Sequence, residues 1–136
     1  MTEPVKDTKA MISGMKPERQ PGVWHFVSFA PGDPLAERLA SIAYATMNEP
    51  EGPSLLLSEE VASQEGLRSD LPMAHILLSV HSALDGVGLT AAVAVALADH
   101  SIPCNVIAGA RHDHIFVPVG DTDRAIEILK VAADNA

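Results

Sequence analysis

Val80-His81-Ser82-Ala83-Leu84-Asp85-Gly86-Val87-Gly88-Leu89-Thr90-Ala91-Ala92-Val93, residues 80–93, is the stretch on which the fold turns. It leaves an apolar run, 74–82, that reads as a strand. It then turns on closely spaced glycines and enters an Ala/Val/Leu-rich segment, Gly86 to about His100, that reads as a helix. Two more apolar runs, Pro103–Ala110 and His112–Val119, predict strands joined by a tight turn. Asp121 and Thr122 then cap a last helix with Ile126, Leu129 and Ala133 on one side. The order β-α-β-β-α, two helices on one face of a mostly antiparallel sheet, is the split β-α-β plan of ferredoxin-like domains, short of one edge strand. No segment declares itself as that strand, and 74–82 could serve both halves of the chain.

Working toward the N-terminus, Arg68–Pro72 is the candidate boundary between halves of similar size. Before it, Ser58 followed by Glu59 and Glu60 opens a helix that stops near Gly66. Ser41–Met47 and Ser54–Leu57 read as a hairpin across the turn residues Asn48–Pro53, and Asp33-Pro34 starts a short helix. Val23–Phe29, β-branched and aromatic, is a strand. Lys16–Gly22 reads as turn, after a first short helix capped by Asp7 or Thr8, with Met11, Ile12 and Met15 on its apolar side. This half follows a looser version of the same plan.

The chain has 136 residues, 47% hydrophobic, 20% charged and only 4% aromatic, enough for one domain or two very small ones with a core of small aliphatic side chains. Eighteen acids against nine bases give a net charge of −9, which repels phosphate backbones and anionic lipid and argues against nucleic-acid or membrane binding. The apolar run Gly86–Ala98 is shorter than the roughly 20 residues of a membrane span. With one cysteine, Cys104, and no apolar leader in Met1–Lys9, the sequence reads as cytoplasmic. Cys104 itself, on an apolar strand with no basic neighbour, reads as a small core filler.

Gly86, Gly88 and Ala91 match the dinucleotide pattern G-x-G-x-x-A, but a strand that turns straight back as a hairpin leaves no room for the further β-α units a nucleotide fold needs. What remains is the local physics of a helix start: free amides and partial positive charge, suited to a carboxylate, with Asp85 alongside for an ammonium group. The competing reading is that Asp85 caps its own helix and the glycines ease the turn. Thr90 reaches either a ligand or its own helix backbone. His112-Asp113-His114 is a second cluster. His112 and His114 share a strand face, with His81 or His75 as a third group, which would suit a metal or a general base. Ordinary histidines at strand ends are the competing reading.

Residues 80–93, with Ile102-Pro103-Cys104-Asn105-Val106-Ile107-Ala108 and His112-Asp113-His114-Ile115-Phe116-Val117, resemble the small bacterial stand-alone ACT-domain proteins. Met11–Met15, Val23–Phe29 and Glu51-Gly52-Pro53-Ser54-Leu55-Leu56-Leu57 resemble the first half of those two-part proteins more faintly. The resemblance implies an α+β, ferredoxin-like tandem, with residues 1–70 an N-terminal divergent ACT-like half and 71–136 a C-terminal ACT domain. It implies a regulatory module without catalysis or cofactor, forming homodimers and binding an amino acid or similar small zwitterion. The implied site is Asp85, Gly86, Val87, Gly88 and Leu89 with Asn105, Val106 and Ile107 from the second strand. The turn departs from the family's usual Asp followed by a Pro-Gly pair. Two other functions stay open on the sequence: a small metal-dependent or general-base enzyme using His112, Asp113 and His114, and a structural module that docks a partner protein.

Overall fold

The computed structural model describes residues 3–136, which divide into two compact units. Unit 2 is the contiguous segment Gly22–Met73, and unit 1 joins the residues up to Pro21 with Ala74–Ala136. In chain order the elements are α1 (Thr8–Gly14), β1 (Pro17–Ser28), α2 (Pro34–Ala40), β2 (Ala45–Glu49), β3 (Gly52–Ser58), α3 (Glu59–Glu65), β4 (Met73–Leu78), α4 (Leu89–Ala98), β5 (Asn105–Ala108), β6 (Asp113–Pro118) and α5 (Thr122–Asp134). A 3-10 turn, Val119–Asp121, leads into α5. The fold is the mixed, largely antiparallel ferredoxin-like plan that the sequence implies.

In unit 1 the strand order is β1-β4-β6-β5, with only the first part of β1 belonging to the unit. That part is the missing edge strand. The Ser79 N–H donates to the Lys16 carbonyl at 3.1 Å, fixing the start of β1 beside the end of β4. The sequence reading of Lys16–Gly22 as turn is therefore corrected. Pro17 and Pro21 lack a donor for a ladder, which tells against a central strand but suits an edge. Helices α1, α4 and α5 supply one core with the sheet: Met11 and Met15, Val93 and Leu97, Leu129 and Ala133 pack with Ile76, Leu78, Ile115 and Val117. Cys104 packs against this cluster, and burial pushes its thiol up, so it is a filler thiol, not a thiolate.

In unit 2, β3 lies between β2 and the second part of β1, antiparallel to both. Pairing of Glu49 with Gly52 tightens the hairpin to two loop residues, so the strands run further into the expected turn. The expected strand over 41–44 is turn and bend instead. Phe29, Leu55 and Leu57 meet Ala36, Leu39 and Ala62 in a smaller core. Buried His25 ties this unit together: its Nδ1 accepts the Ser69 N–H at 3.0 Å and its Nε2 lies 3.1 Å from Glu59. Glu59 also takes both short contacts from Arg68 Nε, at 2.8 and 2.9 Å, and together these partners hold its carboxyl down to about 2, Arg68 most and His25 next.

Candidate functional site

The expected helix start at Gly86 moves three residues on. Helix α4 begins at Leu89 with Gly88 at its N-cap, in the left-handed region at φ 108°, and no side chain caps it. Asp85 therefore does not cap α4. It stands 71% exposed in an ion pair with Lys6, 3.1 Å away. A helix of ten residues that starts without a capping side chain leaves its first amides available to a ligand or water.

Gly88, Leu89 and Thr90, at that helix start, line a cavity of about 320 Å³ within unit 1. One wall is the connection 82–84 and 86–90, including Val87 and Thr90, and the other is Ala108, Gly109 and Asp113 at the β5–β6 turn, with Met11 contributing from α1. Among the described residues lining it, Asp113 alone is ionisable. Burial pushes its carboxyl up, while the neighbouring imidazoles of His114 and His112 act in the opposite sense. The arrangement can take a group that accepts amide N–H bonds at one end and a cation at the other.

Of the residues expected at the site, Gly86, Val87, Gly88 and Leu89 are brought to this cavity and Asp85 is turned to solvent. The second strand contributes differently. Register pairs Asn105 with Phe116 and Ile107 with His114, whereas Val106 pairs with Ile115 and Ala108 with Asp113. Alternation thus puts Asn105 and Ile107 on the face opposite Asp113, and the Asn105 amide donates to the Phe116 carbonyl at 3.4 Å. Val106 shares the Asp113 face but packs against the core. Asp113 was legible only as the middle of a histidine cluster; its register opposite Ala108 is what aims it at the glycine connection.

The two histidines of that cluster take different partners. His112 precedes β6 and lies 3.3 Å through Nδ1 from the Val80 carbonyl, while His114 meets buried His75, Nδ1 to Nε2, at 2.9 Å. His75 also stacks on Phe116, with ring centroids 4.7 Å apart. Burial first, and a charge on His114 second, hold His75 down to about 4; burial likewise lowers His114. Among the described residues no three His, Cys, Asp or Glu side chains are placed to hold a metal ion.

Unit 2 carries a cavity of about 300 Å³ at its own strand-to-helix connection, lined in part by Gly32, Asp33, Glu37, Thr46 and Asn48. Here the helix is capped: the Asp33 carboxylate accepts the Leu35 N–H at 2.9 Å.

Comparison with known proteins divides the sequence at residue 74, although residues up to Pro21 belong to the same compact unit as Ala74–Ala136. One ACT-domain family model matches residues 3–74 and a second matches residues 74–131. A Vibrio cholerae protein of unknown function, described as a possible transport protein, is 41% identical over 92% of this chain and 94% of its own, with a TM-score of 0.80. An Agobacterium tumefaciens protein is 16% identical, covers 88% of this chain and 89% of its own, and superposes at a TM-score of 0.72. The ligand-free regulatory subunit of aspartate kinase from Thermus thermophilus shares the fold at 10% identity, covering 88% of this chain and 97% of its own, with a TM-score of 0.67. No curated protein matches the chain. Among the described residues no helix is long and apolar enough to cross a membrane.

Proposed function

Because the chain belongs to the ACT-domain family, whose members are regulatory modules, we propose that it is a non-catalytic sensor that binds a free amino acid in the unit 1 cavity. The ligand carboxylate accepts N–H bonds at the uncapped start of α4, and its ammonium group pairs with Asp113. The observation that carries this reading is the composition of the cavity: one carboxylate, pushed up by burial, opposite a helix start that no side chain caps. An ammonium ion offsets the cost of a partly desolvated carboxylate, and open amides favour an anion, so the two walls together select a zwitterion. Val87 and Leu89 border the same space and meet the ligand side chain.

Two copies of the chain associate, and ligand occupancy favours one arrangement over another, transmitting a signal without bond chemistry. Family precedent supports the dimer; light scattering with and without the acting amino acid tests it.

A thermal-shift screen of the twenty amino acids tests binding. At ten times its dissociation constant a ligand stabilises the folded protein by about 1.4 kcal/mol, a measurable rise in Tm. The expected result is a rise with one amino acid or a chemically related few, abolished in Asp113→Asn without loss of basal Tm. No response at millimolar concentration, or a response that survives Asp113→Asn, overturns the reading.

A further inference from the structure

The N-terminal segment up to the first residue of α1 has no part in the binding chemistry just described, yet it makes a dense set of contacts with the connection that lines the cavity. Val5 bridges Ser82 in parallel: its N–H donates to the His81 carbonyl at 2.7 Å and its carbonyl accepts the Ala83 N–H at 2.8 Å. Lys6 pairs with Asp85, and the Thr8 hydroxyl donates to the Val87 carbonyl. The glycines are shaped to these neighbours. A Cβ on Gly88 would stand 2.6 Å from Thr8 Cγ2, and one on Gly86 would stand 2.8 Å from Met11 Sδ. The space that the sequence suggested was open to a ligand on that side is filled by the chain itself.

The segment is held unevenly. Met11 and Met15, at 1% and 2% exposure, anchor α1 in the core. Residues 5–8 are held to the connection 81–88 by two backbone bonds, one hydroxyl and an ion pair whose side chains are 69% and 71% exposed, with Val5 partly buried at the edge of the core and Asp7 capping α1. Segments held this way open well below the free energy of global unfolding, and an exposed pair adds little. Release would leave the His81 and Val87 carbonyls and the Ala83 amide without these partners and let 81–88 move, while Met11 and Met15 keep the rest of α1 in the core.

We infer that residues 5–8 are a releasable strap that holds the connection 81–88 in its cavity-lining shape, so that strap docking and ligand affinity rise and fall together. The ligand half of this inference rests on the binding reading above. The strap acts from outside the cavity, since neither Lys6 nor Thr8 lines it.

The test is the full chain carrying Lys6→Glu and Thr8→Val. The first places like charges beside Asp85, and the second removes the hydroxyl while keeping the methyl group against Gly88. Residue-resolved hydrogen exchange should show the Ala83 amide exchanging about tenfold faster, with α4 and α5 amides unchanged. The amino acid that raises the wild-type Tm should bind the double variant at least several-fold more weakly, by calorimetric titration. Unchanged exchange at Ala83 overturns the strap. Faster exchange with unchanged affinity overturns the coupling and leaves the binding reading standing. A flat response to all twenty amino acids in both proteins is the failure of the binding reading, and the coupling falls with it. Thr8→Val alone, which adds no charge, should give the same signs with smaller changes, and no change in either readout would count against the strap.

Discussion

The strand-to-helix connection of unit 2 is residues 29–33 and that of unit 1 is residues 79–88, twice as long, although each borders a cavity of similar size. The short one is closed by its own sequence: Asp33 caps α2, Pro34 starts it, and the Asp33 N–H donates to the Ala30 carbonyl at 3.2 Å. The long one has no internal cap and is held by residues far away in the chain, Val5, Lys6 and Thr8. The contrast teaches that one fold position can be rigidified locally or braced remotely. Only the second leaves the start of its helix without a capping side chain.

The hardest blow to the contrast is struck at the glycines. A Cβ at Gly52, already at φ 131°, would stand 2.0 Å from the Phe29 carbonyl oxygen, a backbone atom that cannot step aside. Gly52→Ala should cost more than about 3 kcal/mol in chemical denaturation. Gly88→Ala meets only a side-chain methyl and should cost about 1–3 kcal/mol. The reverse order would mean that the remote brace, not the local closure, is the stiffer of the two.

Acid separates the units next. His75 titrates near 4 when folded, against an ordinary 6.5, so protons favour its unfolded state. Its contribution is intact above pH 6.5 and is lost as pH falls from there to about 4, on the order of 2 kcal/mol. In unit 2 the Glu59 carboxyl is lowered, so its contribution is present above the usual carboxylate range and is lost only as pH falls toward 2. Between pH 7 and 4.5, unit 1 amides should lose exchange protection, corrected for intrinsic rates, while the α3 amides next to Glu59 keep theirs. Parallel loss in both units would contradict this account.

The smallest effect is the most direct comparison of the two loops. Asp33→Ala removes a helix cap and should cost about 0.5–2 kcal/mol. Asp85→Ala removes one side of an exposed pair and should change stability by less than about 0.5 kcal/mol. Equal losses in urea melts would show that Asp85 is the more embedded of the two than its contacts indicate.

What could be read ahead of the structure was whatever local chemistry decides. Asp7, Asp33 and Ser58 cap the helices the sequence assigns to them, because an N-cap needs only the next few amides, whereas Asp121 stands at the N-cap of α5 without a side-chain bond and the Thr122 hydroxyl donates to the Val119 carbonyl instead. The edge strand was hidden since Pro17 and Pro21 look like turn chemistry, and only distant β4 makes them a strand. The register of β5 against β6 was equally hidden, so Asn105 and Ile107 were grouped with Val106 although neighbouring strand residues point oppositely. The Asp85 cap failed for a reason the sequence does contain: Gly88, in a left-handed conformation, delays the helix by a turn. Nothing local joins His25 to Glu59 and Ser69, which lie 34 and 44 residues further on.

The interrupted path of unit 1 sets an order of events during synthesis. Gly22–Met73 leaves the ribosome as one uninterrupted stretch with all of its own partners, so unit 2 can close while translation continues. Residues 5–21 are made first and used late: their β4, α4 and α5 partners follow only after that whole insert, and joining them means closing a long loop. Until then Met11 and Met15 are apolar surface without their partners on the nascent chain.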